Sequence, residues 1–297
     1  MELIKKVGII STVIFVSGLF VFATTGEARN EITKESVSDY FPVKIDFAGE
    51  ETPLQIADVK ERLDRELLVN TYAHASTILV IKRADRAFPV IEPILKRNGI
   101  PDDFKYLAVI ESGLVNAVSP AGARGVWQFM PDTAKERGME VNDNIDQRYD
   151  LVKSTEAACR YFLSAKAKFG SWTLAAASYN GGMTGVNKQI DIQKVSNYYD
   201  LLLTEETYRY VFRILALKEI MKNPVKYEFN ILPRDRYEIL PTRKIDIDSS
   251  ITDLAEFAKR QGINYKILKI HNPWLRENKL INDTGKKYQI EIPLKGY

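Results

Sequence analysis

Glu111 is the side chain in this sequence whose setting best suits a general acid. It lies near the end of a helix predicted to begin at Pro101, and Phe104, Leu107 and Ala108 precede it at helical spacing. Its carboxyl therefore projects from the apolar face of that helix. Apolar surroundings raise the pKa of a carboxyl, and a glutamic acid that stays neutral near neutrality can donate a proton. The same pattern also fits a glutamate at a helix end whose carboxylate reaches water.

Other kinds of catalytic group find little support. Cys159 is the only cysteine, which excludes an internal disulfide and a cysteine metal cluster, and its small and aromatic neighbours favour a buried apolar side chain. His74 and His271 lie far apart, and neither has a second candidate ligand at metal spacing. The sequence contains no G-x-S-x-G, P-loop or G-x-G-x-x-G motif. We therefore expect no metal and no cofactor.

The charge distribution argues against a nucleic-acid partner. The formal net charge is only +3. Lysines and arginines are interleaved with aspartates and glutamates instead of forming a basic stripe. Apolar and charged contents are ordinary for a folded globular protein.

Several motifs follow Glu111 in a fixed order. The stretch 116–131 contains a Gly-Val-Trp-Gln run at residues 125–128, and further motifs lie at residues 146–150, 153–158 and 178–182. Together with Glu111-Ser112 they closely resemble the soluble-lytic-transglycosylase family of lysozyme-like domains, glycoside hydrolase family 23. The Gly-Val-Trp-Gln form resembles the branch of membrane-bound transglycosylase D. The resemblance covers roughly residues 66 to 222.

The resemblance implies a role for each matching position. Glu111 stands at the position of the catalytic acid/base, and the other matching positions would bind the substrate. Ser119 would hydrogen-bond near that carboxyl and the N-acetyl group of the sugar. Tyr179 is expected close to Glu111. The full set of implied substrate-binding residues is Ser119, Gly125, Val126, Trp127, Gln128, Tyr179, Asn180 and Tyr210.

Some positions of the motifs leave room for a purely structural role. Phe129 and Met130 are expected to be mostly core residues, whereas Trp127, between Val126 and Gln128, is expected to line the site or stack on a sugar. Two positions depart from the family pattern. Ser178 replaces the usual alanine before the tyrosine, and Tyr208 stands where arginine is common. Neither departure removes a catalytic group.

The reaction implied by the resemblance needs only one carboxyl, whereas most glycosidases use two. Neutral Glu111 would protonate the oxygen between N-acetylmuramic acid and N-acetylglucosamine. The resulting glutamate would then accept the proton of the muramoyl C6 hydroxyl as that hydroxyl attacks C1, which gives a 1,6-anhydro sugar. Asp132, Asp146 and Asp150 are candidates for a second acid, although helix capping explains Asp132 and Asp150 better. A hydrolytic goose-type lysozyme and a catalytically silent peptidoglycan-binding protein are the alternatives.

The elements that position these residues are predicted to be helices. Hydrophobic spacing, prolines, glycines and capping residues give their limits. The predicted helices cover residues 58–68, 77–86, 90–96, 101–113, 131–137, 154–169, 172–178 and 205–221.

The C-terminal segment has a different pattern. Residues 244–247 and 288–292 alternate as strands, and helical patterns lie between them at 250–260, with Ser250 and Asp253 as a capping pair, and at 265–271. Residues 251–293 resemble a LysM domain, a small sugar-binding fold, although the usual opening turn is replaced. We expect a mainly α fold, with a lysozyme-like helical domain and a small α+β strand–helix–helix–strand module.

The N-terminal segment predicts export. Lys5 and Lys6 precede an apolar run, and a small-x-small end follows at Gly26-Glu27-Ala28. The run is long for a cleaved signal and just long enough to span a membrane. Cleavage after Ala28 and retention of residues 7–24 as an anchor both stay open.

These patterns predict an exported protein of the periplasm or cell envelope. We expect a monomer that binds peptidoglycan glycan strands, with the envelope membrane as a further partner of the N-terminal segment. The predicted organisation is a signal peptide or membrane anchor over 1–28, a tether over 29–57, a lysozyme-like transglycosylase domain over 58–223 with its motif core at 90–222, a linker over 224–241 and a LysM-like module over 242–297.

Overall fold

The computed structural model describes residues 40–295. The predicted export signal or anchor, and the first part of the predicted tether, lie outside the described residues. Among the residues that the structure describes, no helix is both long and apolar enough to cross a membrane.

The prediction of a mainly α fold with a small strand-containing module is confirmed. The helices are α1 Ala57–Tyr72, α2 His74–Arg97, α3 Lys105–Ser112, α4 Pro131–Glu136, α5 Leu151–Phe169, α6 Trp172–Gly181, α7 Met183–Gln193, α8 Glu205–Lys222, α9 Leu254–Arg260 and α10 Tyr265–His271. The strands are β1 Asp46–Phe47, β2 Glu50–Glu51, β3 Thr242–Ile247 and β4 Tyr288–Pro293. In the helical part, α8 packs against α1, α3 and α6.

One long helix, α2, replaces the two helices predicted over residues 77–96. Pro89 and Pro93 lie inside it, although a proline in a helix interior removes a backbone donor and costs about 3 kcal/mol or more. The helix buries Ile91, Ile94 and Leu95 almost completely. Burial of this continuous apolar face offsets the lost hydrogen bonds, so the chain does not break where the prolines suggested.

Helix α3 carries Glu111; it ends where the sequence indicates but begins at Lys105 instead of Pro101. A 3-10 turn at Asp102–Phe104 leads into it. Its last residue is followed by Gly113, whose φ of 61° gives the left-handed C-cap that glycine favours. Phe104, Leu107 and Ala108 have no exposed surface, so the face from which Glu111 projects lies against the core.

Part of the segment predicted as a loosely packed tether is folded. Strands β1 and β2 form a two-residue hairpin through Ala48 and Gly49, both with positive φ. Phe47 is fully buried, with its ring centroid 5.0 Å from that of Phe104. Glu50 accepts hydrogen bonds from the backbone N–H groups of Trp172 and Thr173 at the start of α6. The tether prediction is therefore wrong for this hairpin, which caps a helix of the core.

Helices α5 and α6 are both longer than predicted. Helix α5 begins at Leu151 instead of Ser154, because Asp150 caps it by accepting from the Lys153 N–H at 3.0 Å. Helix α6 continues to Gly181. Helix α7 was not predicted; Val186 is its only buried residue, and Gly185 inside it weakens the helical signal of its sequence.

The C-terminal module has the predicted strand–helix–helix–strand order. Strands β3 and β4 pair antiparallel, with Ile245 opposite Ile290. The predicted capping pair is wrong. Asp253 alone caps α9, whereas the hydroxyl of Ser250 accepts from the Asn282 N–H. The apolar core of the module also contains Ile145, which comes from the helical part of the chain.

Residues 224–241, predicted as a linker, run along the helical part. Tyr227 and Phe229 are buried. The N–H of Tyr237 donates to the carbonyl of Lys82 in α2 at 3.1 Å. The connection is thus packed on α2 over much of its length.

Candidate active site

Glu111 sits in surroundings that keep its carboxyl neutral. Burial raises its pKa from the usual 4.5 to about 7. The Tyr210 hydroxyl donates a hydrogen bond to Glu111 Oε1, and the guanidinium of Arg213 lies near; both lower the pKa, whereas the charge of Glu206 raises it. Because burial is the largest effect, a large fraction of Glu111 is protonated at neutral pH.

Two tyrosines from different helices surround this carboxyl. Tyr210 on α8 is almost completely buried, and burial and the charge of Glu111 hold the pKa of its hydroxyl well above the usual value. Tyr179 on α6 has its pKa raised by burial first and then by the charge of Glu111, which places these two groups near each other. Both hydroxyls are therefore neutral hydrogen-bond donors.

Helix α3 and the loop that follows it, residues 113–130, are held together beside the carboxyl; we call this segment the active-site loop. The hydroxyl of Ser112 donates to the carbonyl of Val126 at 2.8 Å. The Tyr179 hydroxyl donates to the carbonyl of the next residue, Trp127, at 2.7 Å. Successive carbonyls of the loop thus bind side chains from α3 and α6, which fixes the loop relative to Glu111.

Gly125 allows this loop to pass very close to another backbone segment. It has a φ of 83°, and a Cβ added to it would lie 1.8 Å from the carbonyl oxygen of Arg148. A side chain is therefore excluded both by the backbone conformation and by space.

The side chain of Gln128 is hydrogen-bonded to the backbone of the loop. Its amide nitrogen donates to the carbonyls of Ala117 and Gly125 at 3.1 and 2.7 Å. The backbone φ of 50° is unusual for a residue with a side chain. With the nitrogen hydrogen-bonded to the backbone, Oε1 is the atom of this side chain that can accept a further hydrogen bond.

The expectation that the Trp127 ring stacks on a sugar is wrong. The ring has no exposed surface, and its Nε1 donates to Thr155 Oγ1 at 2.8 Å. Phe129 is buried as expected, but Met130 is 43% exposed and is not a core residue. Trp127 therefore contributes its backbone carbonyl and its packing, while Met130 is open to contact.

Ser119 and Asn180 bind neighbouring groups instead of Glu111. The hydroxyl of Ser119 accepts from the Ala123 N–H at 3.0 Å, within the loop. The side-chain amide of Asn180 donates to Glu206 and accepts from the hydroxyl of Thr207. Ser119 thus shapes the loop, and Asn180 connects α6 to the start of α8.

The three aspartates considered as a second acid have other positions. Asp146 is buried in a two-fold hydrogen-bonded ion pair with Arg148. Asp150 caps α5, as expected. Asp132 is an exposed residue in the first turn of α4. The sequence interpretation missed Glu206, whose charge does act on Glu111, because this proximity depends on how α8 packs against α3.

Comparisons with known proteins agree with this geometry. Residues 88–202 match the family model described as "Transglycosylase SLT domain". Residues 88–202 are therefore similar to this family, and we call them the SLT domain. The SLT domain contains Glu111, the Gly125–Gln128 loop, Tyr179 and Asn180, whereas Tyr210 follows the matched segment. Residues 243–296 match a second model, "Soluble lytic transglycosylase C-terminal LysM-like domain", which agrees with the module's strand–helix–helix–strand order.

The chain is also similar to two curated proteins of Escherichia coli. The chain is 30% identical over 258 residues to "Membrane-bound lytic murein transglycosylase D" of Escherichia coli strain K12. The identity is the same for the protein of that name from Escherichia coli O6:H1 strain CFT073. The alignment covers 84% of this chain and 55% of each relative, so the chain spans about half the length of these relatives.

Proposed function

We propose that this protein is a peptidoglycan lytic transglycosylase, a carbon–oxygen lyase that cleaves the β-1,4 bond between N-acetylmuramic acid and N-acetylglucosamine without water. The observation that carries the proposal is the state of Glu111. Its buried carboxyl has a pKa of about 7 and is held by Tyr210, inside an SLT domain. A carboxyl that is readily neutral at physiological pH can act first as an acid and then as a base.

Glu111 performs both proton transfers of the proposed reaction. As the C1–O4 bond breaks, the neutral carboxyl gives its proton to O4 of the leaving N-acetylglucosamine. The C6 hydroxyl of the same muramoyl unit then attacks C1 and gives its proton to the carboxylate, which restores neutral Glu111. The hydrogen bond from Tyr210 and the charge of Arg213 stabilise the carboxylate between the two transfers.

The residues around Glu111 are proposed to bind and orient the sugar. Gln128 offers Oε1 to the sugar, while Gly125 and Val126 hold the loop close to Glu111. Tyr179 fixes the loop through the Trp127 carbonyl. Ser119 and Asn180 support the loop and the start of α8 through their hydrogen bonds.

The wider organisation is also part of the proposal. Residues 58–223 form the transglycosylase domain, 224–241 the linker and 242–297 the LysM-like module, which would bind glycan. The protein is placed in the bacterial envelope, consistent with relatives named as membrane-bound murein transglycosylases. Export by residues 1–28, a periplasmic site of action and a monomeric state belong to the same proposal.

The direct test is substitution of the proposed acid. Glu111→Gln keeps the size of the side chain and its hydrogen bond to Tyr210 but cannot transfer a proton. We expect loss of at least about 100-fold in the release of soluble fragments from purified peptidoglycan. The matched control is Glu61→Gln, at an exposed position of α1, which should cleave like the unchanged protein. Cleavage by a folded Glu111→Gln variant at the normal rate would refute the proposal.

A further inference from the structure

The C-terminal module is docked on one segment of the SLT domain, residues 140–149. Ile145 forms an antiparallel bridge with Leu275. The Asp146 N–H donates to the carbonyl of Trp274, and the Arg276 N–H donates to the carbonyl of Asn144, each at 2.9 Å. The chain of the SLT domain thus pairs with the module as a short strand would.

Side chains extend this contact on both sides of the bridge. The Asn144 amide donates to the carbonyl of Lys279 and accepts from the Ile281 N–H, each at 3.0 Å. The guanidinium of Arg276 lies 4.1 Å from the ring centre of Tyr149. Ile145 is 1% exposed within the module's apolar core. These contacts hold the docked segment in one position.

The same segment supports the active-site loop from its other side. Arg148 binds both carboxylate oxygens of Asp146, at 2.9 and 2.7 Å. Its Nη1 also donates to the carbonyls of Gly122 and Phe129, each at 3.1 Å. Both charged side chains are almost fully buried. Removal of either one would therefore leave the charge of the other buried and unpaired.

A continuous series of contacts therefore runs from the module to Glu111. Leu275 and Trp274 fix Ile145 and Asp146, and Asp146 orients Arg148. Arg148 holds the loop at Gly122 and Phe129, and the loop binds Ser112, next to Glu111, through the Val126 carbonyl. Each link is a hydrogen bond or a buried contact, so a displacement of the module can reach the loop through packed groups.

We propose that the C-terminal module positions the active-site loop through the Asp146–Arg148 pair, in addition to any binding of glycan by the module itself. Asp146 and Arg148 are then positioning residues for the proposed transglycosylase reaction. The consequence is that weakening the docking contact lowers turnover even on a substrate too short to reach the module.

The test uses the full chain with a double substitution at the docking contact, Asn144→Ala with Arg276→Ala. The matched control removes an arginine and a side-chain amide from the module away from the contact, Arg243→Ala with Gln289→Ala. In the control pair, Arg243 binds Gln261 and Gln289 binds Asp246, all within the module. The substituted side chains that belong to the module, Arg243, Arg276 and Gln289, are all exposed.

Two measurements are made on each variant. The first is turnover of a soluble tetrasaccharide of the glycan strand; we expect kcat to fall on the order of tenfold or more in the docking variant only, because small displacements of a site are costly. The second is amide hydrogen exchange of residues 117–129, where we expect loss of protection in the docking variant while α8 stays protected.

The outcomes separate this inference from the proposed function on which it rests. The positioning role would be overturned if the docking variant cleaved the tetrasaccharide at the normal rate and the amide hydrogen exchange of its loop were unchanged. It would also be overturned if the control variant at Arg243 and Gln289 lost as much turnover and loop protection as the docking variant. If the unchanged protein cleaves no peptidoglycan, the proposed function fails, yet hydrogen exchange, which needs no turnover, still decides whether the module holds the loop.

Discussion

Glu111 occupies a site where burial works against its charge. In the unfolded chain its carboxyl has an ordinary pKa of 4.5, whereas in the folded protein burial raises the pKa to about 7. Tyr210 and Arg213 oppose this effect but do not cancel it. The side chain therefore costs stability when it ionises, and the same cost makes it a usable acid.

The titration of Glu111 should consequently lower the free energy of unfolding as pH rises from about 4.5 to 7. In this range the folded state binds more protons than the unfolded state, so the free energy of unfolding falls with rising pH. A pKa shift of this size corresponds to a change of about 3 kcal/mol in the free energy of unfolding. Glu111→Gln removes the titration, so the variant should match the unchanged protein below pH 4.5 and be more stable above pH 7.

Thermal unfolding of both proteins across this pH range measures the effect. Glu61→Gln again serves as the control, because its exposed position should give the same pH dependence as the unchanged protein. A difference between Glu111→Gln and the unchanged protein that is constant from acid to alkaline pH would show that Glu111 titrates normally.

The active-site loop is the element on which the arrangement depends. Its backbone touches Arg148 at Gly125 and carries two carbonyls that bind Ser112 and Tyr179. Gly125 and Gly122 both have positive φ, but only Gly125 faces a neighbouring backbone. The two glycines therefore separate the effect of backbone strain from that of close approach.

Gly125→Ala should be much more damaging than Gly122→Ala. Both substitutions put a Cβ on a left-handed residue, which costs about 1–2 kcal/mol. At Gly125 the Cβ would also meet the Arg148 carbonyl oxygen at 1.8 Å, so the backbones must separate, at a further cost of about 1–3 kcal/mol. Denaturant unfolding and fragment release from peptidoglycan would measure both consequences. Equal effects of the two substitutions would contradict the close approach.

The sequence predicted the elements that have strong local signals. Helix α3 ends at Gly113 as expected, and α10 has the predicted bounds because its apolar spacing and Asn264 cap are local features. The predicted break between helices near Pro89 was wrong, because burial of the apolar face of α2 outweighs the missing backbone N–H donors of its two prolines. Helix α7 was missed because Gly181, Gly182 and Gly185 favour a turn when the sequence is considered alone.

Only part of the candidate site could be predicted, because several of its contacts join distant parts of the chain. Glu111 was found from its helical face and its motif. Glu206 was missed because its proximity to Glu111 depends on the packing of α8 against α3. Stacking of Trp127 on a sugar was wrongly expected, because burial of its ring depends on the helices packed around it. The role of Arg148 likewise depends on the loop and the module meeting at one segment.

At the scale of the whole molecule, the proposed reaction needs one acid and a substrate that supplies its own nucleophile. Asp132 is exposed, Asp146 is paired with Arg148, and Asp150 caps α5. In the proposed reaction Glu111 transfers both protons, with the helical part, the loop and the C-terminal module holding its surroundings. The chemical form of the product therefore reports on the whole arrangement.

Mass spectrometry of peptidoglycan fragments is the most direct test of this account. The unchanged protein should release fragments that end in 1,6-anhydro-N-acetylmuramic acid, lighter by one water than hydrolysed ends, and the Glu111→Gln variant should release none. Fragments with hydrolysed, reducing ends from the unchanged protein would contradict the account, since water and not the C6 hydroxyl would then be the nucleophile.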